Sequence, residues 1–352
     1  MRAARDSFFN PLLSLVLCAA TGALFAWLKT PLPWMIGPLV AMAMCNFSGL
    51  ELRAPTGGRE LGQVIIGTAL GLYFTPAVAH EVASKWYLLL LAALLAIALG
   101  GLCGWFVAST TGTDRTTAFF ASVPGGATEM AVLGERFGAR TDRVAIAQSL
   151  RILVVVILIP YALAYSGVHG ADVYVPLAAA LDWCGLGTLL AIAAMAGGFF
   201  LMVRLPNAFM LGPLAVVIAL TANDLQFSSM PTVMSNLGQA LLGCALGARF
   251  ERRFLHGAPR YIAGVLASIL ISLALAALAG TALAWFSGLP VPSLVLATAP
   301  GGIAEMSMTA KVLQLGVPLV TAAHVTRVIV LVTTTGPIYR MALRLGRRAP
   351  TG

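Results

Sequence analysis

Charge is scarce in this chain. Of 352 residues, 13 are Asp or Glu and 22 are Lys or Arg, 10% in all, against 59% hydrophobic residues and a mean hydropathy of +0.91. That excludes an ordinary soluble domain, and no stretch is polar enough to supply one. Histidine is scarcer still. His80, His169 and His256 fall in different loops and His324 stands alone, so the clustered imidazoles or carboxylates that a copper or iron oxygenase requires are missing. Cys18, Cys45, Cys103, Cys184 and Cys244 show neither C-x-x-C spacing nor an extracellular framework and read as small buried helix residues. No GxxxxGK[ST] sequence occurs, so energy from a P-loop nucleotide is excluded. The formal net charge is +9, but no basic patch interleaves with stacking aromatics, which argues against nucleic acid as a partner.

What the chain has in abundance is apolar runs separated by short polar breaks. Their length, about 17 to 25 residues, is what a helix needs to cross a bilayer, so the lipid bilayer is the first expected partner. The opening "MRAARDSFFNPLLSLVLCAATGALFAW" has the basic start and apolar core of a signal peptide. Leu17 before Cys18 is wrong for a lipoprotein signal, and the stretch has a counterpart later in the chain, so it is expected to remain as a first helix.

The chain repeats itself. "ELGQVIIGTALG" from Glu60 matches "NLGQALLGCALG" from Asn236; "VPGGATEM" around Pro124 matches "APGGIAEM" around Pro300; "SLRILVVV" sets Arg151 against Arg327. All three blocks share an offset of 176 residues, and "MIGPL" against "MLGPL" pairs Gly37 with Gly212 at 175. The expected organisation is therefore a membrane repeat at 9–166, a second at 175–342, and a basic cytoplasmic tail at 343–352. Apolar segments fall at 9–28, 32–48, 61–79, 86–109, 116–134 and 144–166, and again at 175–203, 208–222, 235–249, 261–286, 293–311 and 318–341.

Whether the halves are parallel or inverted depends on whether the PGG segments span. With Arg2 and Arg5 inside and five spans per half, Arg53, Arg59, Arg115, Arg136, Arg140, Arg143, Arg204, Arg249, Arg252, Arg253, Arg260 and the tail arginines all fall inside. Only Lys29, Lys85 and Lys311 fall outside, as the bias of basic residues to cytoplasmic loops requires. Six spans would put Arg136, Arg140 and Arg143 across the membrane from Arg115. The expected fold is thus an all-α polytopic membrane protein of two inverted repeats, with about ten transmembrane helices, two broken or re-entrant PGG segments and both termini cytoplasmic. A broken PGG helix that crosses stays open if a neighbouring segment does not span.

Proline removes a backbone donor and the glycines remove side-chain restraint, so each PGG should unwind a helix. At membrane depth that is tolerated only against protein or a water-filled cavity. The restarting helix presents its N-terminal amides to the break, which suits an anion. Paired breaks of this kind resemble the discontinuous helices of inverted-repeat carriers. Pro124, Gly125, Gly126, Pro300, Gly301 and Gly302 are therefore candidate substrate-binding residues; the alternative is a pair of kinks packed for close approach. Glu129 and Glu305 follow in the first restarted turn, either as coupling groups or as caps. Arg151 and Arg327 are either structural partners of the glutamates or bidentate clamps on an oxyanion. His324, one turn before Arg327, is a candidate proton relay or a packed histidine. Gln63 and Gln239 are weaker site candidates, and the glycines beside them read as helix-packing positions.

The duplicated "LGQ…G…LG" and "PGG..EM" blocks resemble the AbrB-type family of bacterial membrane proteins over residues 10–342. Members of that family are often labelled ammonia monooxygenase or transcriptional regulator, and the resemblance brings no catalytic residues with it. The residues themselves support neither label. They point to a secondary carrier in a bacterial inner membrane, not an enzyme, with no cofactor, no metal and no catalytic residue expected. Its partners would be a small anionic or zwitterionic metabolite and a coupling ion, proton or sodium; a homodimer is left open by the lack of an interface signal. The alternatives are a non-transporting membrane protein or sensor acting indirectly on gene expression, and a membrane oxidoreductase subunit.

Overall fold

The computed structural model describes residues 2–168, 170, 180–250 and 259–346, and all regular structure among them is α-helical. The helices are α1 (Arg2–Trp27), α2 (Pro33–Phe47), α3 (Gly58–Gly71), α4 (Pro76–Ser84), α5 (Trp86–Thr111), α6 (Arg115–Ser122), α7 (Ala127–Glu135) and α8 (Thr141–Tyr165). There follow α9 (Trp183–Met202), α10 (Ala208–Thr221), α11 (Thr232–Gly247), α12 (Pro259–Ser287), α13 (Val291–Thr298), α14 (Ile303–Leu313) and α15 (Val317–Gly346). Arg252, Arg253, His169, His256, the expected start of the second repeat at 175 and the tail beyond Gly346 lie outside the described residues.

Six stretches are long and apolar enough to cross a bilayer: Asn10–Trp27 of α1, then α5, α8, α9 and α12, and Val317–Thr335 of α15. Their outward faces stay apolar, with Leu102, Trp105, Met195, Leu278 and Phe286 all exposed. Trp27, Trp86, Trp183 and Trp285 are exposed and lie near helix ends, each at the end away from an arginine-bearing turn, where an aromatic belt belongs. The molecule is an all-α polytopic membrane protein.

The other four expected spans are shorter helices. α2, α3, α10 and α11 have 15, 14, 14 and 16 residues, about 21 to 24 Å at 1.5 Å per residue. They are short because they cross one another in the centre, where glycines bring backbones together. A Cβ at Gly67 would stand 2.9 Å from the Met210 carbonyl oxygen, and one at Gly247 would stand 2.5 Å from that of Leu39. The apolar run 61–79 breaks at Leu72–Thr75, where α3 and α4 meet at 91°, with Thr75 capping the Val78 amide and Pro76 starting α4.

Equivalent contacts repeat at the 175 to 176 offset. Gly37 faces the Thr21 carbonyl as Gly212 faces that of Ala196; Gly67 faces Met210 as Gly243 faces Met35; Gly71 faces Val217 as Gly247 faces Met42. The equivalent helices α3 and α11 run antiparallel: Gly58 and Gly62 lie against Leu241 and Leu242, while Ile65 and Ile66 lie against Gly238. These two equivalent helices thus point in opposite directions, as inverted repeats require.

Both PGG segments are helical hairpins. α6 runs in, the chain turns at the break, and α7 returns beside it, so that Gly134 faces the Phe120 side chain. The start of α8 then bonds back to the start of the hairpin. The Arg140 amide donates to Thr117 Oγ1 at 2.8 Å and Arg143 Nη1 to Thr113 Oγ1 at 3.1 Å. In the second half Gly316, at the exit from α14, faces Ser293 at the start of α13.

Candidate functional site at the paired helix breaks

Each hairpin turns through extended backbone. Val123 and Gly126 have ψ of 128° and 137°, and Ala299 and Gly302 have 142° and 166°. The proline prevents the helix from continuing, and the carbonyls that lose helical partners must be satisfied elsewhere. The following long helix supplies the donors. Arg151 Nη1 donates to Val123 O at 3.2 Å and Nη2 to Gly125 O at 2.8 Å. In the other half Arg327 Nη1 donates to Ala299 O at 2.6 Å, and Nη2 donates to Gly301 O. Gln148 Nε2 reaches Phe120 O at 2.8 Å and Val123 O at 2.9 Å. His324 Nε2 lies 2.9 Å from Leu296 O, the equivalent carbonyl.

The arginines therefore hold the two breaks open by their own backbone. Neither makes an ion pair with a glutamate; among the described residues the ion pairs are Lys85–Glu81 and Arg140–Asp142. Each keeps an Nε donor without a partner among those residues. The carboxylates of Glu129 and Glu305 fold back over Gly126 and Gly302, where a Cβ would overlap their Oε2 atoms. The second glycine of each PGG thus leaves the space that its carboxylate takes. Backbone amides of Gly126 and Asn207 are within reach of Glu129, and the amide of Glu305 within reach of its own side chain.

The tips of the two hairpins meet in one cavity of about 110 Å³. Pro124, Gly125, Gly126, Glu129, Gly301, Gly302, Glu305, Arg151, Arg327 and Gln63 line it. Pro300 lies in the break but not on the cavity wall, and the structure does not bring Gln239 or His324 there: Gln239 is buried in α11 and His324 is buried against α13. Three polar residues of the wall were not among the candidates. Arg59 begins α3, Arg249 follows α11, and Asn207 precedes α10 with a left-handed φ of 52°. Asn207 Oδ1 accepts from Gln63 Nε2 at 2.7 Å. Arg59 and Arg249 are charged neighbours of both glutamates, yet neither makes a side-chain hydrogen bond or an ion pair among the described residues. Arg249, in the turn beyond α11, is lowered to about 10 by burial and then by the nearby Arg59 charge, so it remains a cation at neutral pH.

Four guanidinium groups thus face two carboxylates across a small polar space. An anion with acceptor oxygens balances the charge, and Arg59 and Arg249 have donors to spare for it. The cavity has room for water or a small polar ligand.

The chain is similar to known proteins over most of its length. A protein of Bacillus subtilis (strain 168) named "Uncharacterized protein YhjN" is 27% identical over 364 residues, covering 96% of this chain and 94% of its own. "Putative regulator AbrB" of Escherichia coli (strain K12) is 24% identical over 316 residues, covering 89% and 90%. The family described as Transition state regulatory protein AbrB matches residues 34–343, and with so much of its length inside that match the chain belongs to the AbrB family.

Proposed function

We propose that this protein is a secondary carrier for a small anionic or zwitterionic metabolite in a bacterial inner membrane, working by alternating access between inverted halves. The observation that carries this reading is the meeting of both PGG hairpins, each with its glutamate, in one charge-lined cavity. Arg59 and Arg249 recognise the substrate anion, Glu129 and Glu305 carry a coupling proton or sodium ion, and Arg151 and Arg327 keep the breaks in shape. Both termini are cytoplasmic in this reading, because the arginine-bearing turns gather at one set of helix ends and the terminal tryptophans at the other. The cavity then faces the cytoplasm, since Arg59 and Arg249 lie at those arginine-bearing ends.

The test is thermal unfolding of purified protein against a panel of small organic acids, comparing wild type with Glu129→Gln and Glu305→Gln. A ligand that binds the folded state raises its midpoint by mass action. One chemical class should stabilise wild type and lose its effect in a folded glutamate variant. No response to any acid, with both variants weakened equally, would reduce the glutamates to caps and sink the carrier. The name of the Escherichia coli relative, a regulator, favours a second reading, a non-transporting sensor that acts on gene expression through the metabolite it binds. Ligand binding without uptake in reconstituted vesicles would select that reading.

A further inference from the structure

A second cavity of about 250 Å³ lies at the far end of α3 from Arg59. Its wall includes Tyr73, Thr221, Gln226, Ser228, Thr232 and Lys311. Lys311, at the end of α14, sits with Nζ 5.8 Å from the centre of the Tyr73 ring and makes no ion pair among the described residues. Thr221 is 1% exposed and its Oγ1 has no hydrogen-bond partner among those residues. A buried hydroxyl left unpaired is unfavourable, and Thr221 stands on the cavity wall, where an occupant could supply the missing partner.

The repeat explains why the space exists. Position 221 is the equivalent of Asn46. In the first half Asn46 closes the corresponding region with its own side chain, accepting from the Leu52 amide at 2.6 Å and donating to Leu52 O at 3.2 Å and Ala248 O at 3.4 Å. Threonine is too short to make those contacts, so the second half keeps a polar opening beside the Lys311 ammonium group, which makes no ion pair among the described residues. The equivalent of Arg249 there is Tyr73, which supplies a π-face to the cation.

We propose that this cavity is a second anion-binding site, taking a carboxylate whose oxygens accept from Lys311 Nζ and Thr221 Oγ1, with Gln226 and Thr232 as further polar neighbours. As a binding site it stands apart from transport. On the carrier reading it is the docking station for the same class of anion at the mouth opposite the PGG cavity.

Equilibrium dialysis with radiolabelled acetate, the smallest carboxylate, tests it on the whole chain in lipid nanodiscs. Wild type should show two classes of acetate binding. Lys311→Gln should lose one, Lys311→Arg should keep it, and Thr221→Val, nearly equal in volume, should weaken it about tenfold. Arg59→Gln with Arg249→Gln should lose the other class. Acetate binding that is identical in wild type, Lys311→Gln and Thr221→Val overturns the second site, as does a wild type that binds none. Should Lys311→Gln fail to fold, Thr221→Val and Lys311→Arg decide alone. Lys311-dependent binding that persists while the double arginine variant changes nothing leaves the second site intact and removes the PGG cavity from substrate recognition.

Discussion

Arg327 holds the carbonyl of Ala299 at 2.6 Å through Nη1 and reaches Gly301 with its other terminal nitrogen. Two freed carbonyls need a fork of donors, which lysine cannot supply. Arg327→Lys should therefore lower stability by about 2 kcal/mol, the cost of one buried acceptor left unpaired. Arg151→Lys should do the same, since Arg151 grips Val123 and Gly125. Denaturation in detergent checks both; an unchanged midpoint would mean that the breaks hold themselves.

Arg59 and Arg249 should behave oppositely. Neither is tied to another side chain among the described residues, so Arg59→Gln and Arg249→Gln should leave the unfolding midpoint within about 0.5 kcal/mol of wild type. Each should nonetheless weaken binding of the substrate anion at least tenfold, the loss of a charged hydrogen bond. Titration of a ligand found by the thermal screen makes the comparison. A loss of stability without a loss of affinity would reassign them to the scaffold.

His324 occupies the place that Gln148 holds in the other half, with Nε2 on the Leu296 carbonyl. His324→Gln should be tolerated, retaining both fold and ligand response. His324→Leu, which leaves that carbonyl bare, should destabilise by about 1–3 kcal/mol. Loss of proton-driven uptake in a stable His324→Gln protein would restore the relay role that the sequence alone allows.

Close helix crossing makes a last prediction. A Cβ at Gly67 would press on the Met210 carbonyl at 2.9 Å, whereas one at Gly101 meets nothing within 4 Å. Gly67→Ala should cost about 1–3 kcal/mol through overpacking. Gly101→Ala, inside α5, should gain up to about 1 kcal/mol from helix propensity. Thermal midpoints of the two variants should move in opposite directions.

Duplication decided which residues were legible in the sequence. PGG, its glutamate and the following arginine occur twice in register, and that recurrence marked them before any contact was known. Arg59, Asn207 and Arg249 occur once: their equivalents are Ser235, Leu32 and Tyr73, so no echo distinguished them from arginines and an asparagine in loops. Their role comes from spatial convergence of the end of α11, the start of α3 and the turn before α10, which no spacing encodes. Helix length was hidden for a different reason. Hydropathy sums over Leu72 and Tyr73 as readily as over Ile65 and Ile66, so the 91° bend vanished into one apolar run, although Thr75 and Pro76 spelled a helix start. The choice between a salt bridge and an oxyanion clamp for Arg151 had a third answer, backbone carbonyls, which side-chain chemistry alone does not suggest.

The glycine crossings also bear on how the protein is made. α2 lies against α11 and α3 against α10, so the inner helices of each repeat find their partners in the other. A nascent chain halfway through synthesis has α1 to cover one face of α2, but the small-residue faces that meet α10 and α11 stay uncovered. The first half must wait, attended by the insertion machinery, until the ribosome delivers α10 and α11. Two separately encoded halves should accumulate only when made together, each being the template on which the other is finished.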